Sequence, residues 1–246
     1  MHKSFWSWEN TISRLGLHRG KKSKQIRQHK NRSLQIEPLE VRTLLSTYMV
    51  TNTNDSGPWS LRQAILDANA NLGSDDIKFN IAGSGVHTIA PATALPYING
   101  ETKIDATTQS DYTGTPLIEI NGSGTGGTAF KLTSNSSGST IKGFIINRCA
   151  NYGVWIQSNG NTISNNWIGL DNTGSAASAN RYGIYISSST NNIINNVLSG
   201  NSDGIYFGNT ANGNTIAGNY IGTNPAGTAA ISNGYGVRIS SGTGNT

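Results

Sequence analysis

Four short strand-like segments of this sequence each place an aromatic or cationic side chain between two apolar residues. The predicted outward positions are Trp155, Tyr185, Tyr206 and Arg238, with Lys131 at the corresponding position of an earlier segment. Rings in a row can stack on sugar rings, and the flanking cations can hold acidic groups. Like residues on neighbouring strands also stabilise a sheet without any ligand. The pattern favours this structural interpretation, and glycan binding by these five residues stays open as the alternative.

The acidic residues do not recur at matching positions, which argues against an enzyme. A polysaccharide lyase needs clustered carboxylates for a cation and a basic residue that takes a proton. In a repeating structure these groups should occupy one offset on neighbouring repeats. Instead, Asp171 aligns with Asn224, and Asp203 aligns with Tyr182 and Tyr235. We therefore predict no catalytic residues, no metal site and no cofactor.

The strand segments belong to a block that occurs twice near the C-terminus. Ile168-Gly169 recurs at Ile221-Gly222, and Gly183 recurs at Gly236, in both cases 53 residues later (221 − 168 and 236 − 183). A fixed period of this kind indicates stacked supersecondary units, each unable to bury its apolar face alone. The block divides into one long and one short coil, which predicts a parallel β-solenoid.

Alternation of apolar and polar residues with period two predicts half-buried strands, and stacking the coils aligns their apolar residues. Asn166, Asn196 and Asn219 should stack at one turn, because asparagine tolerates the left-handed conformation and its amide can bond to the next copy. Cys149 is expected to be a small buried apolar residue. The predicted inward columns are Ile141, Ile163, Ile193 and Ile216; Ile168, Leu198 and Ile221; Val154, Ile184, Ile205 and Val237; and Ile156, Ile186, Phe207 and Ile239.

The net charge of +5 is concentrated in the N-terminal segment. Residues 1–43 hold ten Lys and Arg against three Glu, whereas the rest of the chain holds eight Lys and Arg against ten Asp and Glu. The basic run 18–32 has no interleaved aromatic residues, so we predict no nucleic-acid partner. No stretch approaches 18 apolar residues, so no transmembrane segment is predicted. Residues 1–46 are interpreted as a disordered basic leader for targeting or processing.

Residues 47–75 are predicted to cap the solenoid, because its apolar columns would otherwise be exposed at the open end. Tyr48–Thr53 predicts a strand, and Ser60–Ala70 predicts a short amphipathic helix. Ser60 followed three residues later by Gln63 predicts a capping box at the helix N-terminus. Residues 76–246 would then form the coils. The predicted apolar stripe of the helix consists of Leu61, Ala64, Ile65 and Ala68.

Two motifs resemble known bacterial proteins. Leu39–Leu45 (LEVRTLL) resembles the LEPR-XLL motif of large exported surface proteins, with Val41 in place of Pro. Trp59–Ala64 (WSLRQA) resembles the CSLREA motif that opens many right-handed β-helix proteins, with Trp and Gln in place of Cys and Glu. Ile104–Gln109 and Asn219–Asn224 are similar to coils of the same family. The resemblance implies an all-β, right-handed, single-chain parallel β-helix of the pectate-lyase-like kind with a short N-terminal capping helix, and it implies no particular reaction.

Three functions from different classes remain open. The first is an exported or cell-surface β-helix with a structural or adhesive role. The second is a carbohydrate-binding solenoid that uses the outward aromatic row, with polysaccharide or cell-surface glycans as partners. The third is a polysaccharide lyase or hydrolase whose site is incomplete in this sequence. A monomer is predicted. Gly244-Asn245-Thr246 matches Gly213-Asn214-Thr215, so the coils are expected to be truncated and the chain to be a fragment of a longer protein.

Overall fold

The computed structural model describes residues 45–246 as a parallel β-helix, which confirms the predicted fold class. Within these residues the chain passes repeatedly through three sheets, and each strand pairs in parallel with the equivalent strand of the next coil. Residues 1–44 of the basic leader, which include all but the last residue of the LEPR-XLL-like motif, lie outside the described residues. Ser46, the last residue assigned to the leader, is the first residue of strand β1 (Ser46–Val50). None of the helices described in residues 45–246 has the length and apolar character needed to cross a membrane.

The helices and strands have the following bounds. Sheet 1 contains β1 (Ser46–Val50), β2 (Asp75–Phe79), β4 (Thr102–Asp105), β7 (Thr140–Lys142), β10 (Thr162–Ser164), β13 (Asn192–Ile194) and β16 (Thr215–Ala217). Sheet 2 contains β3 (His87–Ile89), β5 (Ile118–Asn121), β8 (Phe144–Asn147), β11 (Trp167–Ile168), β14 (Val197–Leu198) and β17 (Tyr220–Ile221). Sheet 3 contains β6 (Thr128–Leu132), β9 (Tyr152–Ile156), β12 (Tyr182–Ile186), β15 (Asp203–Phe207) and β18 (Tyr235–Ile239). One α-helix, α1 (Leu61–Ala70), and two short 3₁₀ helices, Ala106–Thr108 and Gly122–Gly124, complete the described part.

The core includes the predicted apolar columns, and Phe79, Phe130 and Phe144 are buried in it as well. In sheet 1, Ile163 lies opposite Ile141 on one side and Ile193 on the other, and all three are fully buried. The columns of sheets 2 and 3 are in the predicted register as well. Each fully buried residue of this size contributes roughly 1.5–3 kcal/mol. Val237 and Ile239 keep the register but are exposed, because β18 has a paired neighbour on only one side.

The N-terminal cap is correct in outline and wrong in two details. The helix α1 buries its predicted stripe, and Ser60 is its N-cap, since Ser60 Oγ accepts a hydrogen bond from Gln63 N at 3.2 Å. The reciprocal half of the capping box does not form, because Gln63 Nε2 donates to Asp67 Oδ1 at 2.8 Å. The strand ends at Val50 rather than Thr53, because Thr51 N donates to Trp59 O in the turn that follows.

The turns between sheets 1 and 2 contain the predicted asparagine ladder. Asn166 Nδ2 donates to Asn196 Oδ1, and Asn196 Nδ2 donates to Asn219 Oδ1, both at 3.0 Å. The left-handed residue, however, is the one before each ladder asparagine, with φ of 55° at Asn165 and 56° at Asn195. The backbone therefore turns at one residue, and the next residue sends its amide into the stack. Two further ladders were not predicted: Asn161, Asn191, Asn214 and Asn245, and Asn180, Asn201 and Asn233.

Candidate functional site

The outward face of sheet 3 carries the five residues that the sequence singled out. Lys131 lies opposite Trp155, Trp155 opposite Tyr185, Tyr185 opposite Tyr206, and Tyr206 opposite Arg238. They therefore form a continuous row along β6, β9, β12, β15 and β18. Each of the three aromatic side chains is partly buried, because its neighbours in the row cover part of the ring.

A second row, which the sequence analysis did not assign to the site, runs beside the first. Tyr152 and Tyr182 lie opposite each other at the starts of β9 and β12. The residue after Tyr152 is Gly153, where a Cβ atom would lie 2.7 Å from the carbonyl oxygen of Gly183 on the next coil. Only glycine allows this close backbone approach. The recurring aromatic-glycine-aliphatic triplet was the signal that could have revealed this row.

The two rows interlock into one surface, the aromatic face. Tyr152 stacks on Tyr182 with ring centres 5.3 Å apart, and Tyr185 stacks on Tyr206 at 5.2 Å. Trp155 meets Tyr185 edge to face at 6.1 Å. Stacked and perpendicular pairs at these distances are the arrangements that aromatic rings prefer. The aromatic face is defined as Tyr152, Trp155, Tyr182, Tyr185 and Tyr206.

Cations cover several of these rings. Lys131 Nζ lies 4.1 Å from the centre of the Trp155 ring and 4.3 Å from that of Tyr97. The guanidinium carbon of Arg238 lies 5.3 Å from the Tyr206 ring. Each position is within the range of a cation–π interaction. The ring faces are therefore used by neighbouring rings and by these cations.

Arg181 and Asp203 also belong to this surface. The guanidinium carbon of Arg181 lies 5.1 Å from the Tyr182 ring. Asp203 lies opposite Tyr182 in the second row and is buried, with Arg238 Nη1 3.8 Å from its Oδ1 atom. That Oδ1 is the buried side-chain oxygen left without a hydrogen-bond partner among the described residues. The surface thus combines three cations with one carboxylate.

Burial raises the pKa of the Tyr185 phenol, and the neighbouring Tyr152, Tyr206 and Tyr182 raise it further. The hydroxyl of Tyr185 packs over Gly208, where a Cβ atom would come within 2.6 Å of it. The raised pKa extends the pH range in which the phenol stays neutral, and in its neutral form Tyr185 can donate a hydrogen bond but contributes no charge.

Comparison with protein-family models gives no match for this chain, and comparison with curated proteins gives none either.

The carboxylate of Glu119 lies on a different sheet from the aromatic face. Glu119 is buried on sheet 2, and its carboxylate accepts hydrogen bonds from Thr88 Oγ1 at 2.6 Å and Asn147 Nδ2 at 2.8 Å. Arg148 Nη1 lies 3.3 Å from the same carboxylate. In residues 45–246, no three His, Cys, Asp or Glu side chains come together in a way that could hold a metal ion.

Asp171 holds a surface loop together. Burial alone would raise the pKa of its carboxyl, but hydrogen bonds from Thr173 Oγ1 and from the backbone N–H groups of Ala176 and Ser175 outweigh burial and lower it. Asn224 accepts equivalent backbone hydrogen bonds in the matching loop of the next block, at 2.8 Å and 3.2 Å. A neutral amide at this position thus accepts the same backbone hydrogen bonds as the carboxylate. The role of Asp171 is therefore to shape the loop.

Cys149 is buried, as predicted, and burial raises the pKa of its thiol to about 12. A thiol with so high a pKa holds almost no thiolate at neutral pH, and the thiolate is the reactive form. Cys149 therefore packs as a small apolar side chain.

Proposed function

We propose that this chain belongs to an exported or cell-surface protein in which the parallel β-helix has a structural or adhesive role. The observation that carries the proposal is that the repeated side chains are satisfied by their own copies on neighbouring coils. Asparagine amides bond to asparagine amides, and rings of the aromatic face stack on rings. Such a stack gives a rigid rod whose side chains do not converge on one reacting centre.

The N-terminal motifs support the same proposal. Trp59–Ala64, the segment that resembles the CSLREA motif, spans the N-cap residue Ser60 and the first turn of α1, whose apolar side packs on the first coils. A capping helix is the position in which this motif is expected in a bacterial right-handed, pectate-lyase-like β-helix. Leu39–Leu45 resembles the LEPR-XLL motif, which supports export to the cell surface.

The test is the location of the full chain in a bacterial host. Intact cells that express the protein would be treated with a protease, and the culture medium would be assayed in parallel. We expect the protein in the medium or at the protease-accessible surface. Changing Arg42→Glu together with Leu44→Asp should retain it inside the cell. The matched control is Leu72→Asp, which introduces the same acidic residue at an exposed leucine outside the motif. Wild-type protein confined to the cell interior would overturn the proposal.

The second candidate function is binding of acidic glycans at the aromatic face. The observation in its favour is the excess of positive charge there, with Lys131, Arg181 and Arg238 placed over the rings against the single carboxylate of Asp203. Cations held in place by rings could pair with the carboxylates of a uronic-acid polymer.

The third alternative, a polysaccharide lyase or hydrolase, has the least support. It requires several carboxylates around one point or a pair of them beside an arginine. In the described part of the chain, Asp203 and Glu119 each lie beside an arginine but on different sheets. The oxygens of Glu119 already accept hydrogen bonds from the protein.

A further inference from the structure

A groove of about 310 Å³ runs along the turns between sheets 1 and 2. It is lined by Tyr112, Gly114, Asn165, Trp167 and Asn195. Pockets for small ligands usually measure about 300–1,000 Å³, so this groove suits a short ligand or a short stretch of a longer one. It shares no residue with the aromatic face. None of its lining residues belongs to the predicted inward columns.

Two amides on consecutive coils line the groove. Asn165 and Asn195 are stacked turn residues, since Asn165 N donates to Ile194 O at 3.4 Å and Asn195 N donates to Ala217 O at 3.1 Å. Neighbouring rungs of such a stack are about 4.8 Å apart. Neither amide side chain has a hydrogen-bond partner among residues 45–246, whereas the adjacent Asn166 is fully bonded.

The turn itself does not require asparagine at these positions. On the coils before and after, the corresponding left-handed residues are Gly143, with φ of 80°, and Gly218, with φ of 65°. Glycine adopts this conformation without steric cost, and asparagine merely tolerates it. What Asn165 and Asn195 add to the turn is an unbonded amide on each of two neighbouring rungs, partly buried at Asn165 and exposed at Asn195.

Two aromatic residues also line the groove. Trp167 on β11 is partly buried, and Tyr112 stands on the loop that joins β4 to β5. This loop is fixed at its base by Gln109, whose Nε2 donates to Ile81 O at 2.8 Å and whose Oε1 accepts from Ile81 N at the same distance. Tyr112 N in turn donates to Gln109 O at 3.2 Å. The loop that carries Tyr112 is therefore anchored by the buried side chain of Gln109.

We propose that this groove binds a short stretch of a neutral glycan. Sugar hydroxyls both donate and accept hydrogen bonds, as the free amides of Asn165 and Asn195 do, and an apolar sugar face can pack on Trp167 or Tyr112. None of the five lining residues is charged, so the groove has no partner for the carboxylate of an acidic sugar. The site goes beyond the proposed function, because it requires neither export nor the aromatic face.

The test is calorimetric titration of the full-length protein with neutral cello-, xylo-, manno-, malto- and chito-oligosaccharides. The informative variant is Asn165→Gly with Asn195→Gly, because glycine occupies the same turn position at Gly143 and Gly218 and should preserve the fold. The matched control is Thr190→Gly, another exposed residue with positive φ that lies outside the groove. We expect one of these oligosaccharides to bind the wild type, with affinity reduced roughly tenfold or more in the double variant and unchanged in the control.

Trp167→Val, which introduces the residue found at the paired position Val197, should also weaken binding. Thermal melts would show whether each variant is folded. The proposal is overturned if no oligosaccharide of the panel binds the folded wild type, or if the double glycine variant binds as well as the wild type. Binding restricted to acidic polymers would overturn it too and would point to the aromatic face. Failure of export in the localisation test would leave this result unaffected.

Discussion

The asparagine ladders and the aromatic face are both stacks of like side chains, but only the ladders are closed to solvent. Asn166 and Asn196 are fully buried, and each amide gives and receives hydrogen bonds within the stack. The residues of the aromatic face are only partly buried and are bordered by cations. Stacking identical residues therefore has two uses in one fold. A closed stack stabilises the turn, and an open stack also presents a surface.

The chemistry of the two side chains explains this difference. An amide carries both a donor and an acceptor, so each copy can satisfy the next and the stack can be buried without loss. A ring gains from neighbours on its faces and edges but does not require them to be present. Loss of one ladder member should consequently cost more than loss of one ring. Substitution of a core residue, which lies inside both stacks, should cost more still.

The largest effect is expected for Ile193→Asp. The side chain is fully buried between Ile163 and Ile216, so the substitution would bury an unpaired carboxylate. The free energy of unfolding should fall by roughly 4 kcal/mol or more. Tyr185→Ser, on the outward side of β12, should lose only ring contacts, roughly 1–2 kcal/mol. Chemical denaturation measures both. Equal losses would show that the assignment of inward and outward positions is wrong.

The next effect separates two adjacent asparagines of one turn. Asn196→Ala leaves Asn166 N without its acceptor at 3.0 Å and removes the donor to Ile163 O at 2.9 Å. Each buried group left unsatisfied costs about 1–3 kcal/mol. Asn195→Gly, one residue earlier, should change stability by no more than about 0.5 kcal/mol, since its amide is unbonded and its φ is positive. Similar losses of unfolding free energy in both variants would contradict the distinction between the hydrogen-bonded amide of Asn196 and the unbonded amide of Asn195.

The core was predictable from the sequence because its signal is strictly periodic. Ile163, Ile193 and Ile216 recur with the same neighbours, and a parallel stack leaves no other register that buries all three. The row from Trp155 to Arg238 follows from the same register, because its members alternate with buried residues. Periodicity thus predicted which residues lie opposite each other on neighbouring coils of the β-helix.

Contacts that depend on local backbone geometry were not predictable in the same way. The left-handed residue was assigned to Asn166 instead of Asn165, since both positions are asparagine and only φ distinguishes them. The row that contains Tyr152 was missed because strict alternation from the outward Trp155 assigns Tyr152 to the inward side, whereas the two ring centres lie 4.9 Å apart. The groove beside Tyr112 depends on a non-repeated loop, and no period can reveal such a loop.

Binding to the aromatic face is the third test of the comparison. The structural interpretation predicts that polygalacturonate and alginate give no saturable change in tryptophan fluorescence, because rings and cations already cover the ring faces. If saturable binding is found, Trp155→Ala with Tyr206→Ala should abolish it, while Tyr220→Ala on sheet 2 should not. That outcome would favour the second candidate function. Binding that survives the double substitution would exclude the aromatic face as the site.

The smallest expected effect is on the pH dependence of stability. The pKa of Tyr185 in the folded protein is raised above its ordinary value of 10.0, first by burial and then by the neighbouring tyrosines. The unfolded chain therefore loses this proton at lower pH than the folded protein does. The contribution of Tyr185 to stability is fully present below pH 10.0 and is lost as the pH rises through the folded pKa.

In the Tyr185→Phe variant, the denaturant concentration at the unfolding midpoint should accordingly fall less steeply above pH 10.0 than in the wild type. Tyr220→Phe, which removes a hydroxyl from an exposed tyrosine of sheet 2, is the matched control and should follow the wild type. Chemical denaturation in a pH series measures the effect. If both phenylalanine variants decline in parallel with the wild type, the rings of the aromatic face do not hold the Tyr185 phenol in its neutral form. Because the shift arises partly from Tyr152 and Tyr206, the same titration reports whether the open stack keeps its rings together in solution.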